Sequence, residues 1–168
     1  MRIRDESKKD TAAVRALNIE AFGTPSEANL VDALRKQMGL LISLVAEQDE
    51  QILGHILFSP VSLSGHTDLK IMGLGPMAVA PPHQRKGIGS QLVPTGLKKC
   101  KQLDYIAVVV LGHPDFYPRF GFVPSSHFDI DYEYDVPEEV FMAAELVPGS
   151  LRGKSGRVKY NPAFKEFL

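Results

Sequence analysis

The sequence contains little of what several specialised protein classes require. It has no tryptophan and a single cysteine, Cys100, in 168 residues. One cysteine excludes an internal disulfide and a multi-thiolate metal site, and it is typical of a reducing compartment. Nineteen basic residues nearly balance twenty acidic ones, giving a formal charge of -1. This balance argues against a generally basic nucleic-acid binder and against an acidic disordered chain.

Long apolar stretches are also missing. The longest, residues 105–111, is far shorter than the roughly 20 residues that cross a bilayer. Residues 1–5 have no apolar run behind their charges, so they do not form a secretory signal. Apolar residues make up 44% of the chain and charged residues 23%, as in ordinary globular domains. We therefore expect one cytoplasmic domain over residues 1–168, without a membrane or nucleic-acid partner.

Two helices are predicted to open the fold. The first covers residues 10–22 with Asp10 as its N-cap. Its apolar face comprises Val14, Leu17 and Ala21. The second has Thr24 as N-cap, Pro25 at the first helical position and a capping box completed by Glu27. Its apolar stripe comprises Leu30, Leu34 and Met38.

The pattern then changes to a strand period. The predicted strands and the one later helix cover, in order, residues 41–46, 52–58, 69–79, 89–103 (the helix), 105–111 and 141–147. The first two strands flank a polar turn and form a hairpin, whereas Pro76 indicates a bulge or a failure of pairing in the third. The run 105–111 is continuous and rich in β-branched residues, as in strands that are buried on both faces. Strand, helix and strand in this order predict a parallel pair in an α/β protein with a mixed sheet.

The most informative segment follows the third strand and reads Gln84-Arg85-Lys86-Gly87-Ile88-Gly89. Glycines at a helix entrance let a ligand approach the backbone, and the first-turn N–H groups lack partners within the helix. With two adjacent cations, this segment predicts a phosphate or pyrophosphate site. Taken alone, the glycine spacing also fits a plain turn with solvated cations. A P-loop is excluded because no Lys-Ser or Lys-Thr pair follows the glycines. A dinucleotide fingerprint is disfavoured because Leu92 replaces its third glycine.

The order of these residues resembles the Gln/Arg-x-x-Gly-x-Gly/Ala signature of the GNAT N-acetyltransferase superfamily. Further on, Phe116-Tyr117-Pro118-Arg119-Phe120-Gly121-Phe122 resembles the Phe-Tyr-x-x-x-Gly-Phe segment of that family. The resemblance spans about residues 1–146. It implies a single-domain GNAT fold with a mixed central sheet flanked by helices, in which two parallel strands, here 74–79 and 105–111, splay apart.

The resemblance also implies a function, which is transfer of the acetyl group of acetyl-CoA to a primary amine by direct attack through a tetrahedral intermediate. The amine belongs to a small molecule or a protein, and no metal takes part. The implied cofactor-binding residues are Met77, Ala78, Val79, Gln84, Arg85, Lys86, Gly87, Ile88, Gly89, Ser90 and Phe120. The implied catalytic residue is Tyr117, whose hydroxyl would protonate the departing thiolate; the alternative is an aromatic packing role.

One departure from the family concerns the general base. Many members carry a glutamate on the motif strand, but residues 72–79 contain no carboxylate. The remaining candidates are Glu20, His55, His113 and Asp115. The missing carboxylate favours an alternative function, a non-catalytic CoA-binding sensor, and nucleotide binding is a more distant third.

Other residues carry weaker signals. The five histidines show no ligand spacing, so we expect no metal site, and we expect Cys100 to be a packed bystander. Pro94 predicts a kink in its helix. The stretch 129–139 holds six acids and alternates as an edge strand would, with a solvated acidic face; alternatively it forms a negative rim that concentrates a cationic amine. An exposed late strand would allow a homodimer.

Overall fold

A computed structural model describes residues 1–37 and 39–166; Met38, predicted to extend an apolar stripe, lies outside the described residues. The helices are α1 (Thr11–Phe22), α2 (Ser26–Lys36) and α3 (Ile88–Gln102). The strands are β1 (Arg2–Asp5), β2 (Ile42–Gln48), β3 (Gln51–Leu63), β4 (Ile71–Val79), β5 (Ala107–Leu111), β6 (Val123–Pro124), β7 (Ile130–Tyr132), β8 (Phe141–Glu145) and β9 (Gly156–Lys159). Within the described ranges, no helix is long and apolar enough to cross a membrane.

The two opening helices form as predicted, with Asp10 at the N-cap position of α1, but the cap of α2 differs. Asp10 is the residue before α1, yet its carboxylate makes no capping bond; it accepts hydrogen bonds from Arg4 at 2.7 Å and 3.0 Å. The prediction that Thr24 is the N-cap of α2 is wrong, because Pro25 takes that position. The Thr24 hydroxyl instead accepts a hydrogen bond from the N–H of Ser26, the first residue of α2, at 3.4 Å.

The apolar faces of both helices turn toward the core. Val14 and Leu17 are buried, as are Leu30 and Leu34. Ala21, predicted on the same face of α1, is only half-buried because it stands in the last turn of the helix. Burial of these aliphatic side chains supplies the hydrophobic stabilisation that helices of this length need.

The described residues fall into two compact units, of which the first comprises residues 1–59, 75–96 and 162–166. In it, β1, β2 and β3 are antiparallel neighbours, and a turn at Asp49 and Glu50 joins β2 to β3 as predicted. Helices cover both faces of this sheet. His55 of β3 reaches α1, whereas a Cβ on the adjacent Gly54 would lie 2.8 Å from the Ile88 side chain of α3.

The second unit comprises residues 60–74 and 97–161. The first half of β4 pairs with β5 in parallel, from Ile71–Ala107 to Leu74–Val110, which confirms the predicted parallel pair. Strand β8 pairs antiparallel with both β5 and β6. Strand β9 pairs with the end of β3 and with β7. Residues 107–110 are buried, as expected for a strand covered on both faces.

Strand β4 contributes residues to both units and continues through Pro76, where the sequence predicts a bulge or a failure of pairing. Its pairing with β5 ends at Leu74, and Gly75 follows with φ +150°, a conformation that L side chains rarely adopt. Gly73 is required for a different reason, which is the lack of room for a side chain: a Cβ there would lie 2.7 Å from the Tyr160 ring. The fold is therefore the predicted α/β arrangement, a sheet of parallel and antiparallel pairs flanked by helices.

Helix α3 retains Pro94 within one continuous helical segment. The Thr95 hydroxyl donates a hydrogen bond to the Gln91 carbonyl at 2.8 Å in the same turn. Cys100 is fully buried near the other end of the helix. Burial raises the pKa of its thiol to about 12, so it is a packed, unreactive cysteine at neutral pH.

Candidate active site

The loop that follows β4 is fixed by hydrogen bonds before it enters α3. The N–H of Ala80 donates to the Leu53 carbonyl of β3 at 2.9 Å. The Gln84 side-chain amide donates to the Val79 carbonyl at 3.0 Å. Both bonds tie the loop to the strands beside it, so its backbone is held in one conformation. Preorganised backbone binds a ligand without paying the entropy of ordering a loop.

The backbone of this loop is unusual at two nearby positions. Arg85 has φ +62° and Gly87 has φ +89°. Left-handed conformations are uncommon for residues other than glycine, and they concentrate at functional sites. A Cβ on Gly87 would meet nothing within 4 Å, so the glycine is required by its conformation and leaves open space beside it. Successive N–H groups in such a segment form a concave anion site.

Helix α3 begins at Ile88, directly after this loop. Its first N–H groups have no acceptors within the helix and carry the positive end of the helix dipole. Arg85 and Lys86 are exposed beside it. Donors, dipole and two cations together suit a diphosphate, the ligand that the sequence predicts here.

The structure brings most of the predicted cofactor-binding residues together in the first unit. Met77, Ala78 and Val79 form the end of β4, and residues 84–90 form the loop and the start of α3. Two of these side chains already have other roles. Gln84 binds the Val79 carbonyl, and Ile88 is buried at 6% exposure beside Gly54, so these two offer a ligand mainly their backbone. Their assignment to a ligand stays a prediction.

Tyr117 and Phe120 lie in the second unit, on a short 3-10 segment, Tyr117–Phe120. The Tyr117 ring packs edge-on against Phe116 and Phe122, with centroids 5.0 Å and 5.6 Å away. Gly112 leaves it room, because a Cβ at that position would overlap the ring. Phe120 is half-buried and contacts Phe116 at 5.1 Å.

The Tyr117 side chain is buried, but its hydroxyl oxygen is not sealed from solvent and has no partner among the described residues. The residue is only 7% exposed, and within the described part of the chain no group hydrogen-bonds its hydroxyl. Burial raises its pKa to about 12, so the phenol is protonated at neutral pH. It is thus equipped to donate a proton or a hydrogen bond to a ligand.

His55, one of the four candidate bases, is a structural residue. It is fully buried, with Nε2 2.9 Å from the Ser43 hydroxyl and Nδ1 3.3 Å from the Asn18 amide. Burial lowers its pKa to about 4, an effect that the nearby Glu6 charge opposes. Residues 53–59 of β3 are all buried, without alternation, and the apolar run around His55 is the signal in the sequence that argues against a solvent-facing base.

The sequence did not predict the polar network that continues from His55 through Ser43. Ser43 donates to Glu6 at 2.6 Å, and the same carboxylate accepts a hydrogen bond from Arg35. The network joins Glu6, the residue after β1, to β2, β3 and α2, and no short-range pattern marks it. The other base candidates, Glu20, His113 and Asp115, are exposed. Within residues 1–37 and 39–166, no group of three or more His, Cys, Asp or Glu residues could hold a metal ion.

Comparison with known proteins identifies this arrangement. The model of the family described as "Acetyltransferase (GNAT) domain" matches residues 2–124. The chain belongs to the GNAT acetyltransferase family. It is 38% identical over 168 residues to the protein named "Uncharacterized N-acetyltransferase YhbS" of Escherichia coli K12, covering 99% of this chain and 100% of that one. These matches confirm the family, the acyltransferase class and the fold that the two sequence motifs predicted.

Two solved GNAT structures are similar over nearly the whole chain. One is YhbS of Escherichia coli in complex with CoA, with a TM-score of 0.94 at 37% identity, covering 99% of this chain and 93% of that chain. The other is a GNAT acetyltransferase of Brucella melitensis in complex with acetyl-CoA, with a TM-score of 0.80 at 35% identity, covering 98% and 97%.

Proposed function

We propose that this GNAT protein transfers the acetyl group of acetyl-CoA to a primary amine. The observation that carries the proposal is the loop before α3, where Arg85 and Gly87 hold left-handed backbone at a helix N-terminus. The two similar structures that contain CoA and acetyl-CoA support the choice of cosubstrate.

In this proposal the backbone does most of the binding. The N–H groups of residues 85–90 bind the pyrophosphate, and Arg85 and Lys86 add charge. The backbone of Met77 and Val79, both half-buried at the end of β4, hydrogen-bonds the amides of the pantetheine arm as an added strand would. A strand N–H that polarises the thioester carbonyl stabilises the oxyanion of the tetrahedral intermediate.

The proposed transfer is direct. The amine nitrogen forms a bond to the acetyl carbon, the carbon–sulfur bond breaks, and the attacking nitrogen loses one proton. Tyr117 donates a proton to the departing thiolate and regains one from water, a role that suits a protonated phenol without a hydrogen-bond partner. The amine's proton leaves through water or an exposed group, because β4 carries no carboxylate and His55 is buried within the protein.

A second candidate function is a CoA-binding sensor without turnover. It is favoured by the same two observations, the strand without a carboxylate and the buried His55. A transferase requires an acceptor, which is a small-molecule or protein amine, whereas a sensor requires none. Release of free thiol from acetyl-CoA in the presence of a panel of primary amines separates them, because a sensor binds acetyl-CoA but releases no thiol.

The cosubstrate site is tested by replacing Gly87 with Asp. A side chain there requires strained backbone and places a carboxylate at an anion site. We expect calorimetry to show acetyl-CoA affinity reduced by on the order of a hundredfold or more. Gly65→Asp is a matched control, because Gly65 also has a positive φ, +79°, and a Cβ there would also meet nothing within 4 Å. Gly65 lies in a turn that is remote in sequence from the motif. Unchanged affinity in Gly87→Asp would overturn the proposal.

A further inference from the structure

The second unit contains a cavity of about 370 Å³ beside β7. Most of its lining residues belong to the acidic stretch 129–139. The side chains that argue for a ligand are Asp131, Tyr132, Glu133, Tyr134, Asp135 and Glu138. The prediction of an alternating edge strand holds only for its first part, because β7 ends at Tyr132. Beyond that residue the chain leaves the strand conformation and forms the wall of the cavity.

The charge of this cavity is strongly negative. Four carboxylates line it, against one cation, Arg157. Within the described residues, none of these five groups takes part in a salt bridge. Glu133 accepts a hydrogen bond from the Tyr160 N–H and Glu138 one from the Ser126 hydroxyl, while Asp131 and Asp135 are exposed. The cavity therefore attracts a cation from solution.

An aromatic wall stands beside these carboxylates. The Tyr132 ring stacks on Phe141 with centroids 4.9 Å apart and meets Tyr134 edge-on at 5.7 Å. Tyr134 is 41% exposed, which is high for so large a side chain. Aromatic faces together with carboxylates form the usual environment for an organic cation.

The Tyr132 hydroxyl gives an independent indication of a ligand. The residue is only 8% exposed, and no group in the described chain hydrogen-bonds its hydroxyl. The side chain is nearly covered, but its hydroxyl oxygen is not sealed from solvent, so it takes its hydrogen bond from water or from a ligand. Tyr132 lines the cavity, so a ligand in the cavity is in a position to supply that hydrogen bond.

We propose that this cavity binds the alkylammonium group of a cationic amine, and that this amine is the acetyl acceptor or the second cationic group of a diamine acceptor. The statement that the amine is the acetyl acceptor rests on the proposed function. The statement that the cavity binds an amine does not. A metal ion is the poorer occupant, because no cluster of three or more ligating side chains among the described residues could hold one. An anion is repelled by the four carboxylates.

Calorimetric titration with 1,4-diaminobutane, in the absence of acetyl-CoA, tests the cavity directly. We expect the wild-type protein to bind the diamine, and we expect binding to weaken as salt rises because the carboxylates are exposed to solvent. The double variant Asp131→Asn with Asp135→Asn should bind at least about tenfold more weakly, from loss of two charge interactions. Tyr132→Phe, which deletes only the hydroxyl, should bind about threefold to tenfold more weakly.

Glu139→Gln is the matched control, because Glu139 belongs to the same acidic stretch and is exposed but does not line the cavity. It should bind the diamine as the wild type does. Equal affinity in the wild type, the double variant and the control would overturn the proposal, and so would the absence of binding at millimolar diamine. 1-Butanol in place of the diamine should not bind, since it lacks the charge.

Thiol release keeps this inference distinguishable from the proposed function. If acetyl-CoA releases thiol with some amine but the diamine does not bind, the cavity proposal fails and the transferase proposal stands. If the diamine binds and the double variant weakens it, while no amine in the panel releases thiol, the cavity proposal stands and the transferase proposal fails. Where both hold, the double variant should raise the acceptor KM and leave the KM for acetyl-CoA unchanged.

Discussion

Acidification should destabilise this protein through His55, at a pH where most carboxylates are still ionised. The imidazole is fully buried between Asn18 and Ser43. Burial lowers its pKa from 6.5 to about 4. The unfolded chain therefore binds a proton on this residue before the folded protein does. Its contribution to stability is present above pH 6.5 and is lost as the pH falls from there toward 4.

The magnitude follows from the shift in pKa. One pKa unit corresponds to about 1.4 kcal/mol, so the full effect, reached near pH 4, is on the order of 3 kcal/mol. At pH 5 the unfolded histidine is almost fully protonated and the folded one almost fully neutral. The free energy of unfolding should then be about 2 kcal/mol lower than at pH 8 from this residue alone. Losses of that size are large against the roughly 5–15 kcal/mol that stabilise typical domains.

Urea unfolding at pH 8, 6 and 5 measures this loss, with His55→Gln as the test variant. Glutamine keeps an N–H donor for Ser43 but does not titrate. The wild type should lose about 2 kcal/mol more than the variant between pH 8 and pH 5. Asp10 does not confuse the comparison, because its bonds to Arg4 hold its pKa well below this range. His113→Gln, at an exposed position, should follow the wild type.

Parallel pH curves for the wild type and His55→Gln would refute this reasoning. A second measurement covers the case in which the variant does not fold. In the wild-type protein the ring resonances of His55, followed by NMR, should keep their neutral values at pH 5.5. A His55 ring that titrates near pH 6.5 in the folded state would contradict the assigned burial effect.

Two further predictions concern single side chains. Tyr117→Phe should lower kcat by on the order of a hundredfold with acetyl-CoA affinity and melting temperature nearly unchanged, because only the proton donor is deleted; a wild-type kcat, measured where chemistry limits the rate, would return Tyr117 to a packing role. Gly96→Ala should lower the free energy of unfolding by about 1–3 kcal/mol, since its methyl group would overlap the Phe58 ring. Urea unfolding beside the wild type measures that loss, and an unchanged midpoint would show that Phe58 can move aside.

The elements that the sequence predicted well are those determined by short-range rules. The β2–β3 hairpin follows from a polar turn between two apolar segments, and the chain reverses at Asp49 and Glu50, both with positive φ. The parallel pair of β4 with β5 follows from the order strand, helix, strand. The cap of α2 was misplaced by one residue because Thr24 and Pro25 both carry start signals, and only the backbone conformation of Pro25 decides between them.

Long-range contacts explain what the sequence could not predict. His55 is held by Asn18 and Ser43, which are 37 and 12 residues away, and Arg35 meets Glu6 across 29 residues. No local pattern specifies which polar side chains will be buried together. Its residue type alone makes His55 a candidate base in the sequence. In the structure its side chain is buried where α1 packs against β3, so it cannot contact a substrate.

The same distinction separates the two halves of the proposed chemistry. The proposed cosubstrate loop would bind through backbone N–H groups, and the glycines that give the backbone its conformation, such as Gly87, are visible as a spaced motif. The proposed acceptor cavity would bind through side chains, which the three residues of β7 and the loop after it bring together with Phe141 and Arg157. A carboxylate or a tyrosine can be supplied from many positions on this wall with the same effect on a cation. The proposed amine site therefore leaves no spaced motif in the sequence, whereas the proposed diphosphate site does, and binding measurements on this cavity are what would identify the acceptor.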